Sequence, residues 1–569
     1  MARLGIALDL GTSGYRGQAI DLGTGAVWSS VVTTRHPLPG ANVMDHLHFA
    51  LDVGVSGAQQ VVVTAVNRVL AGLDIEPADV RCLALCGNPI QLSLFQGTEI
   101  RDLAYAGKRK LERLGVVPPT RNAQILRAER IPGLALRSRT EVLIPPAVRH
   151  EIGADALALL IQTGMLEREE ISLATDYGTN AEMALVVRGT VFTGSTAAGP
   201  ALEGQHLRHG LLALPGAICD VDIDAGALGE RRGEALGAAG SPTKRLRTLV
   251  LDAGMVARRG DTVNPADGRV LAEGELRARG ITGTGVVALL SEGIRTDLIR
   301  RPRIDLPGSV IRLPDGVELD ERDLAEAGKA LGALRAGHLT LCREAGIRPE
   351  DVETAYLSGA SGTYVDALKA RGLGMIPPRV TKIFQVGNTS LAMARDIARD
   401  PESLWRMQEM ADRLRERHCL FADSPIFEKA FLLELSVWTE GLSRQDHERF
   451  LKRYGFPPSV EPSGVPNVVR LVQSDIGDVG LHGLSIIEDI SERRQSCFEG
   501  CSGCGECARA CPEGALAIQE AGGTTLIRCD LARCAGVACR RCEGACPEHV
   551  LELAPLLGAN AGRVGRSTA

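Results

Sequence analysis

The sequence predicts an α/β protein with two similar lobes, followed by a small α+β domain that is rich in cysteine. Two observations support this prediction. A loop of the form acidic-x-Gly-Thr follows an apolar strand at Asp9–Thr12 and again at Asp176–Thr179, about 167 residues later. Ten of the fifteen cysteines lie between residues 497 and 547. The repeated loop indicates an internal duplication, and the cysteines indicate a metal-binding domain.

Length, charge and hydropathy narrow the possible functions. A chain of 569 residues is too long for one hydrophobic core, so several domains are expected. A net charge of −6 argues against nucleic acid or an anionic membrane as the main partner, because either favours a basic surface. No segment approaches the roughly 18 apolar residues that span a bilayer, and Asp9 interrupts any signal-peptide core. The chain is therefore expected to be cytoplasmic, with cysteines that serve thiolate chemistry or metal ligation and form no disulfides.

The two loops have the composition of a phosphate-binding site. Glycine lets backbone amides approach phosphate oxygens, threonine adds a hydroxyl donor, and the carboxylate can hold Mg²⁺ or its water ligands. The first loop lies between strand 4–8 and a β-hairpin, and the second between strand 171–175 and another hairpin. A single loop of this kind is more often only the entry to a tight hairpin. Its repetition favours phosphate binding.

A later strand, 354–357, ends in the small residues Ser358–Gly362, which suit a close approach of the backbone to a base or ribose. A further glycine loop follows at 386–389. The predicted organisation is a first lobe with inserted segments (1–170), a second lobe (171–400), a helical extension (401–454), a linker (455–490), the cysteine domain (491–556) and a flexible end (557–569).

The cysteine spacing is typical of bacterial ferredoxins with two 4Fe–4S clusters. The first half reads Cys501-x2-Cys504-x2-Cys507-x3-Cys511-Pro512, and the second Cys534-x4-Cys539-x2-Cys542-x3-Cys546-Pro547. Ferredoxins of this type exchange the fourth ligand between halves. The first cluster is therefore assigned Cys501, Cys504, Cys507 and Cys546, and the second Cys511, Cys534, Cys539 and Cys542.

Some alternatives stay open in the cysteine domain. The x4 spacing after Cys534 departs from the usual x2, so Cys529 could replace Cys534, and the second cluster could be incomplete. Cys497 is the other cysteine without an assigned role. Two four-cysteine zinc sites are an alternative to clusters, although the x2-x2-x3-Cys-Pro order favours iron–sulfur. The pair His46 and His48 has no further ligand nearby and is expected to be structural.

Two phosphate loops and a late glycine turn resemble the actin-like ATPase superfamily, whose lobes are duplicated ribonuclease H-like folds. Over most of residues 1–455 the resemblance is closer. TDYGTNAEMAL (175–185), GSTAAGPALEG (194–204), LSGASGTYVD (357–366) and VGNTS (386–390) resemble the reductive activators of corrinoid-dependent enzymes. The C-terminal position of the two-cluster domain is similar to the branch of that family that serves methylamine methyltransferases.

The resemblance implies ATP-dependent reduction of an inactive Co(II) corrinoid on a partner protein to Co(I). Electrons would come from a low-potential donor through two 4Fe–4S clusters, with ATP and Mg²⁺ as further cofactors. It implies Asp9 and Asp176 as catalytic candidates, with Glu203 a weaker one. The implied nucleotide-binding residues are Gly11, Thr12, Ser13, Gly178, Thr179, Asn180, Gly359, Gly362 and Asn388. Ala181 departs from the glycine that is usual in the family.

Three other functions are less compatible with this sequence. An activator of 2-hydroxyacyl-CoA dehydratases holds its cluster within the ATPase core, where this chain has only scattered cysteines at 82, 86, 219, 342 and 419. A redox sensor or electron carrier could bind nucleotide without ATP-driven reduction, although both acidic residues are intact. A sugar kinase would leave the cysteine domain without a use.

Overall fold

The computed structural model describes residues 3–40, 42–105, 108–148, 152–178, 180–196, 207–224, 244–414, 421, 424–521, 523–537, 539–558 and 560–564. The chain divides into two compact units. The first unit comprises Met1–Asp155, Ser390–Arg413 and Asp478–Ala569, and the second Ala156–Thr389 and Leu414–Gly477. Within the described part of the chain, no helix combines the length and the apolar character needed to cross a bilayer.

The first unit is built on a seven-stranded sheet with the order β22-β3-β2-β1-β4-β6-β5. Its strands are β1 (Leu4–Leu10), β2 (Tyr15–Asp21), β3 (Val27–Thr33), β4 (Val80–Gly87), β5 (Gln124–Arg127), β6 (Glu141–Ile144) and β22 (Leu484–Ile487). β1 runs antiparallel to β2 and parallel to β4, which in turn runs parallel to β6. Every residue of β1 is buried, as expected of a central strand covered on both faces.

Helices of this unit begin where the sequence supplies caps. The side chain of Asn42 accepts the first free amides of α1, and Asn88 caps α3, which has proline in its first turn. The helices of the first lobe are α1 (Val43–Val53), α2 (Val55–Gly72), α3 (Pro89–Gln96), α4 (Arg101–Ala104) and α5 (Lys108–Arg113). Helices at the sequence boundaries of the two units are α6 (Ala154–Thr163), α11 (Thr389–Arg399) and α12 (Glu402–Leu414).

The second unit contains a six-stranded sheet with the order β21-β20-β19-β7-β8-β9. Its strands are β7 (Ser172–Tyr177), β8 (Ala181–Val187), β9 (Thr190–Thr196), β19 (Thr354–Ser358), β20 (Lys382–Gly387) and β21 (Asn467–Arg470). β7 runs antiparallel to β8 and parallel to β19, which runs parallel to β20. This is the arrangement of β1, β2, β4 and β6 in the first unit, so the predicted duplication of the lobe is confirmed.

A second sheet of this unit has the order β13-β12-β11-β10-β14. Its strands are β10 (Ala217–Asp224), β11 (Arg245–Leu251), β12 (Ala257–Val263), β13 (Val270–Ala272) and β14 (Gly280–Ile281). Two further two-stranded sheets pair β15 (Ile299–Arg300) with β16 (Arg303–Ile304), and β17 (Val310–Arg312) with β18 (Glu318–Asp320). The helices are α7 (Gly283–Arg295), α8 (Glu321–Glu344), α9 (Gly359–Tyr364), α10 (Ala367–Gly372), α13 (Pro425–Thr439) and α14 (Arg444–Arg453). A capping box at Asp320 and Asp323 starts α8, whose buried face joins one apolar core with β8, β10 and α7.

The cysteine domain lies in the first unit and contains a four-stranded sheet with the order β24-β25-β23-β26. Its elements are β23 (Arg493–Phe498), α15 (Glu506–Arg509), β24 (Leu516–Ala521), β25 (Thr524–Asp530), α16 (Arg541–Gly544), α17 (Leu553–Gly558) and β26 (Asn560–Val564). The segment predicted as a linker is structured where it contributes β21 to one lobe sheet and β22 to the other. Of the predicted flexible end, residues 560–564 pair with β23, and 565–569 lie outside the described residues.

Candidate functional site

The first phosphate loop follows β1 and includes three of the predicted nucleotide-binding residues. Asp9 lies near the end of β1, is 5% exposed, and has a carboxylate oxygen 3.9 Å from the Arg16 guanidinium across the hairpin. A Cβ added at Gly11 would lie 2.8 Å from the Gly14 carbonyl oxygen, so the tight turn requires glycine there. Thr12 Oγ1 accepts a hydrogen bond of 3.0 Å from Asn88 at the end of β4. Ser13 is buried beside them.

The second phosphate loop follows β7 in the same way, and its acidic residue is held by the neighbouring parallel strand. Ser358 Oγ donates to Asp176 Oδ2 at 2.9 Å, and Thr389 Oγ1 lies 3.0 Å from Ser358 Oγ. Gly178 and Asn180 are partly exposed at the end of the strand. The structure therefore brings Asp176 together with the Ser358 turn that the sequence analysis assigned to the nucleoside.

Gly359 is required where these strands meet. Its φ of +80° lies in the left-handed region, and a Cβ there would lie 2.5 Å from Asp176 Oδ1. A Cβ at Gly362 would lie 2.8 Å from the Leu357 carbonyl carbon, so the first turn of α9 packs directly on β19. Asn388 follows β20 at the same edge of the sheet. Thr179 and Glu203 lie outside the described residues.

Glu182 is an acidic residue that the sequence analysis did not select. In the antiparallel register of β7 and β8 it lies directly opposite Asp176, it is buried, and Ser195 Oγ approaches it at 3.5 Å. Arg16 occupies the corresponding position opposite Asp9. Two carboxylates on paired strand positions repel each other, and a bound divalent cation would relieve that repulsion. Glu182 follows its loop acid by six residues and Arg16 follows its own by seven, so the antiparallel register of each hairpin identifies the partner.

The cysteines of the C-terminal domain form two groups. Burial raises the pKa of Cys507, and Cys501, Cys504 and Cys546 lie close enough to raise it further. Cys511, Cys534, Cys539 and Cys542 line a separate small cavity. Each group thus contains three cysteines from one half of the domain and one from the other. The grouping follows the spacing pattern, and the ligation of two clusters by these eight cysteines stays a prediction.

Cys529 lies behind the second group. It is 0% exposed in β25 and does not line the cavity. A hydrogen bond between the two sulfurs, together with burial, raises the pKa of Cys529 well above its ordinary value, and the same bond lowers the pKa of Cys534. The Gly536 amide also donates to Cys534 Sγ at 3.4 Å. Cys534, which lines the cavity and accepts from the Gly536 amide, is therefore the better placed of the two to be a ligand.

The spacing of these cysteines bears on the metal they can hold. All ten lie within the described residues, where no three His, Cys, Asp or Glu side chains converge tightly enough for a single metal ion. A zinc ion draws its thiolates to about 2.3 Å from itself, whereas a four-iron cluster is larger and keeps its thiolates farther apart. The two groups fit 4Fe–4S clusters, whose iron would deprotonate the buried thiols.

Histidines and cysteines outside this domain have structural positions. His46 is buried whereas His48 is exposed, so the two side chains do not form a metal pair. The core cysteines Cys82, Cys86, Cys219 and Cys342 are all buried, and burial raises the pKa of each thiol. They lie on β4, β10 and α8 and contribute to the apolar cores. Cys419 lies outside the described residues.

Three family models match the chain. The middle region of RACo matches residues 4–168, the C-terminal ASKHA domain of RACo matches residues 170–448, and a 4Fe-4S dicluster domain matches residues 500–550. These matches cover both lobes and the cysteine domain. They agree with an actin-like fold followed by a two-cluster ferredoxin domain.

Individual relatives agree with the family models. The chain is 44% identical over 535 residues to the Co(II) methylated amine-specific corrinoid protein reductase of Methanosarcina barkeri, covering 94% of this chain and 95% of that protein. It is 24% identical over 387 residues to the corrinoid activation enzyme RamQ of Eubacterium limosum, covering 66% of this chain and 60% of that protein. A solved structure, the reductive activator for corrinoid, iron-sulfur protein, has a TM-score of 0.60 at 21% identity and covers 76% of this chain and 66% of that one, which shows a shared fold.

Proposed function

Since this chain belongs to the family of corrinoid reductive activators, we propose that it uses ATP to drive reduction of a partner protein's Co(II) corrinoid to Co(I). The observation that carries the proposal is the 44% identity to a corrinoid protein reductase over nearly the whole of both chains. At 94% of this chain, that alignment extends into both lobes and the cysteine domain. A ferredoxin pattern or a phosphate loop alone would be compatible with many other functions.

Each phosphate loop is a candidate for binding ATP phosphates, with Mg²⁺ held by carboxylates through its water ligands. Asp9 and Asp176 are the candidate acids. Asp176 has the more acidic surroundings, because Glu182 lies opposite it and Ser358 fixes the orientation of its carboxylate. An ionised, oriented carboxylate of this kind can hold hydrated Mg²⁺ and position the attacking water. Gly359 would let the nucleotide approach the backbone of the Ser358 turn.

The cysteine domain would deliver electrons one at a time. Cys501, Cys504, Cys507 and Cys546 would hold the first 4Fe–4S cluster, and Cys511, Cys534, Cys539 and Cys542 the second. The preference for Cys534 over Cys529 rests on the cavity, which Cys534 lines and Cys529 does not. Cys504 is exposed, so the first cluster would lie near the surface, where a donor or acceptor protein can approach.

The partner would be a corrinoid protein of a methylated-amine methyltransferase system, and the donor a low-potential electron carrier. Forming Co(I) requires a strong reductant, so electrons alone are insufficient. Each factor of ten in a coupled equilibrium shifts a one-electron couple by about 59 mV. ATP hydrolysis is the proposed source of this shift.

Two alternative functions are less well supported. An activator of 2-hydroxyacyl-CoA dehydratases needs a cluster in the ATPase core, but the described core cysteines are separately buried. A redox sensor would bind nucleotide without turnover. Measuring ATP turnover with and without a Co(II) corrinoid protein distinguishes a sensor from an activator, because only an activator couples turnover to Co(I).

The test mixes reduced protein, MgATP and candidate Co(II) corrinoid proteins and follows the absorbance of Co(I). We expect Co(I) to form only when ATP is present. Cys504→Ser should abolish Co(I) formation and preserve ATP hydrolysis, whereas Cys342→Ser, which changes a core cysteine, should preserve both. If Co(I) forms at an unchanged rate without ATP, the proposed function is wrong.

A further inference from the structure

We propose that Gln91 is a positioning residue through which nucleotide binding at the first phosphate loop and reduction of the second cluster influence each other. Gln91 lies at the centre of a chain of contacts, the Gln91 relay, formed by Thr12, Asn88, Gln91, His36, His46, Gly40 and Cys534, in which every link except that between His46 and Gly40 is a hydrogen bond or a ring stack. All of these residues lie in the first unit. The inference rests on the proposed function, because it takes the first loop to bind nucleotide and the cavity beside Cys534 to hold a cluster.

One end of the relay is the phosphate loop. Asn88 Nδ2 donates to Thr12 Oγ1 at 3.0 Å. The Oδ1 atom of the same side chain accepts from the Gln91 amide at 3.0 Å, because Asn88 is the N-cap of α3. A displacement of Thr12 is therefore transmitted to the first turn of α3, on which Gln91 lies.

The centre of the relay joins Gln91 to two stacked histidines. Gln91 is 0% exposed, with Oε1 3.0 Å from His36 Nε2 and Nε2 2.8 Å from His46 Nδ1. The Leu38 amide donates to His36 Nδ1 at 3.1 Å, so His36 carries its proton on Nε2 and donates to Gln91. Gln91 must then donate to His46 Nδ1, which places the His46 proton on Nε2.

Burial of the two histidines fixes the direction of hydrogen-bond donation, from His36 to Gln91 and from Gln91 to His46. Desolvation lowers the pKa of His36 to about 3 and that of His46 well below its ordinary value, so both rings are neutral at physiological pH. The two rings stack with centroids 3.9 Å apart and an angle of 16° between their planes. The hydrogen bonds and the stacking therefore fix Gln91 and the two rings relative to one another.

The other end of the relay reaches the second cysteine group. The Gly40 amide donates to the Cys534 carbonyl oxygen at 2.8 Å. The Gly40 backbone also lies close enough to His46 to affect its pKa, although His46 Nε2 makes no hydrogen bond of ordinary geometry. A Cβ added to Gly536, whose amide donates to Cys534 Sγ, would lie 3.7 Å from the Gly40 amide nitrogen. The Gly40 turn therefore separates His46 from the loop that carries Cys534.

The unsatisfied donor of His46 gives the relay a second arrangement. A buried N–H without a partner is costly, and a small movement of the Gly40 carbonyl toward His46 would satisfy it. The same movement would shift the Cys534 carbonyl, which is bonded to the Gly40 amide. Two sites that bias one such element are linked, and the effect of each on the other is equal.

The charges of the nucleotide and of the added electron set the direction in which reduction changes nucleotide affinity. MgATP and an added electron both make the unit more negative, so we expect nucleotide to bind the reduced protein about tenfold more weakly than the oxidised protein. A tenfold ratio corresponds to a potential of the second cluster that is about 59 mV lower with nucleotide than without it. The first cluster, whose cysteines are not bonded to the relay, should shift less.

The experiment uses the full chain with both clusters and no corrinoid protein. The affinity for a non-hydrolysable ATP analogue with Mg²⁺ is measured in oxidised and dithionite-reduced protein, and both potentials are followed by electron paramagnetic resonance. Gln91→Leu should reduce the tenfold ratio to less than twofold. His46→Phe, which keeps a stacked ring and removes both nitrogens, should do the same. Gln96→Leu is the matched control, since Gln96 lies on the same helix and bonds outside the relay.

The outcomes separate this inference from the proposed function. Equal affinities of the oxidised and reduced wild-type protein would overturn the inference alone, whether or not the variants fold. A tenfold ratio that persists in Gln91→Leu and His46→Phe would also overturn it, because direct electrostatics would then suffice. Absence of any nucleotide binding would overturn both this inference and the proposed function.

Discussion

The two lobes have the same strand order, but the acidic residue of each phosphate loop has a different residue opposite it. In the first lobe Arg16 lies opposite Asp9, 3.9 Å from its carboxylate. In the second lobe the same register places Glu182 opposite Asp176. Asp9 therefore has a cation as its cross-strand neighbour, whereas Asp176 has a second carboxylate.

The two lobes also differ in the residue that the adjacent parallel strand places beside each acid. β4 places Cys86 beside Asp9, and β19 places Ser358 beside Asp176. Ser358 donates to its carboxylate at 2.9 Å. Burial, followed by the charge of Asp9, raises the pKa of the Cys86 thiol, so Cys86 stays protonated and apolar in character. The hydroxyl orients the acid of the second lobe, and the thiol fills space in the first.

A duplicated backbone has thus been kept while the side chains around its acids have diverged. Like charges on paired strand positions are destabilising unless something binds between them. The second lobe pairs two carboxylates in this way and the first does not. We infer that Asp176 is the acid that orients the attacking water or hydrated Mg²⁺, and that Asp9 mainly forms an ion pair with Arg16.

The largest effect is expected from removing the charge of Asp176. Asp176→Asn should lower ATP-dependent Co(I) formation about 10³-fold, because a carboxylate that orients water or hydrated Mg²⁺ contributes about 10²- to 10⁴-fold. Asp9→Asn should instead lower the free energy of unfolding by about 2 kcal/mol, with a smaller effect on rate, because it weakens a buried charge pair. ATPase assays and urea denaturation measure the two effects. Equal rate losses in the two variants would contradict the proposed division of roles.

Gly359→Ala should have the next largest effect. The left-handed φ costs an alanine about 1–2 kcal/mol, and the Cβ would press on Asp176 Oδ1 from 2.5 Å. We expect a total of about 3 kcal/mol from strain and overpacking. Gly346→Ala is the control, because Gly346 has a φ of +68° with no atom within 4 Å of an added Cβ. If both variants lose the same free energy of unfolding, the contact with Asp176 contributes nothing.

Sequence patterns predicted the two lobes and the two groups into which the cysteines fall, because strand-loop-strand repeats and cysteine spacing are local signals. The residues that distinguish the lobes were not predicted. Glu182 and Arg16 become relevant only through antiparallel register, and Ser358 contacts Asp176 across 182 positions of sequence. The order of residues along a strand does not specify which strand lies beside it. The preference for Cys534 over Cys529 as a cluster ligand likewise depends on the cavity, which Cys534 lines and Cys529 does not.

Glu182→Gln should have a smaller effect that depends on Mg²⁺. Removing an acidic group near the metal is expected to weaken Mg²⁺ binding in the presence of nucleotide by about 10- to 100-fold. Without metal the same change should stabilise the protein by about 0.5 kcal/mol, because it relieves repulsion between Glu182 and Asp176. Mg²⁺ titration of ATPase activity and thermal unfolding in EDTA measure both effects. A variant destabilised in EDTA would show that Glu182 has a structural role unrelated to Asp176.

The smallest expected effect comes from exchanging the residues beside the two acids. Ser358→Cys copies the first lobe into the second and replaces a hydroxyl donor with the weaker thiol donor. The loss of about 1 kcal/mol should lower ATPase activity about fivefold. Cys86→Ser, the reverse exchange, should change activity less than twofold, because Arg16 already accompanies Asp9. If Cys86→Ser instead raises ATPase activity more than twofold, then Asp9 also takes part in the chemistry, and the Cys86 thiol limits its contribution to the rate.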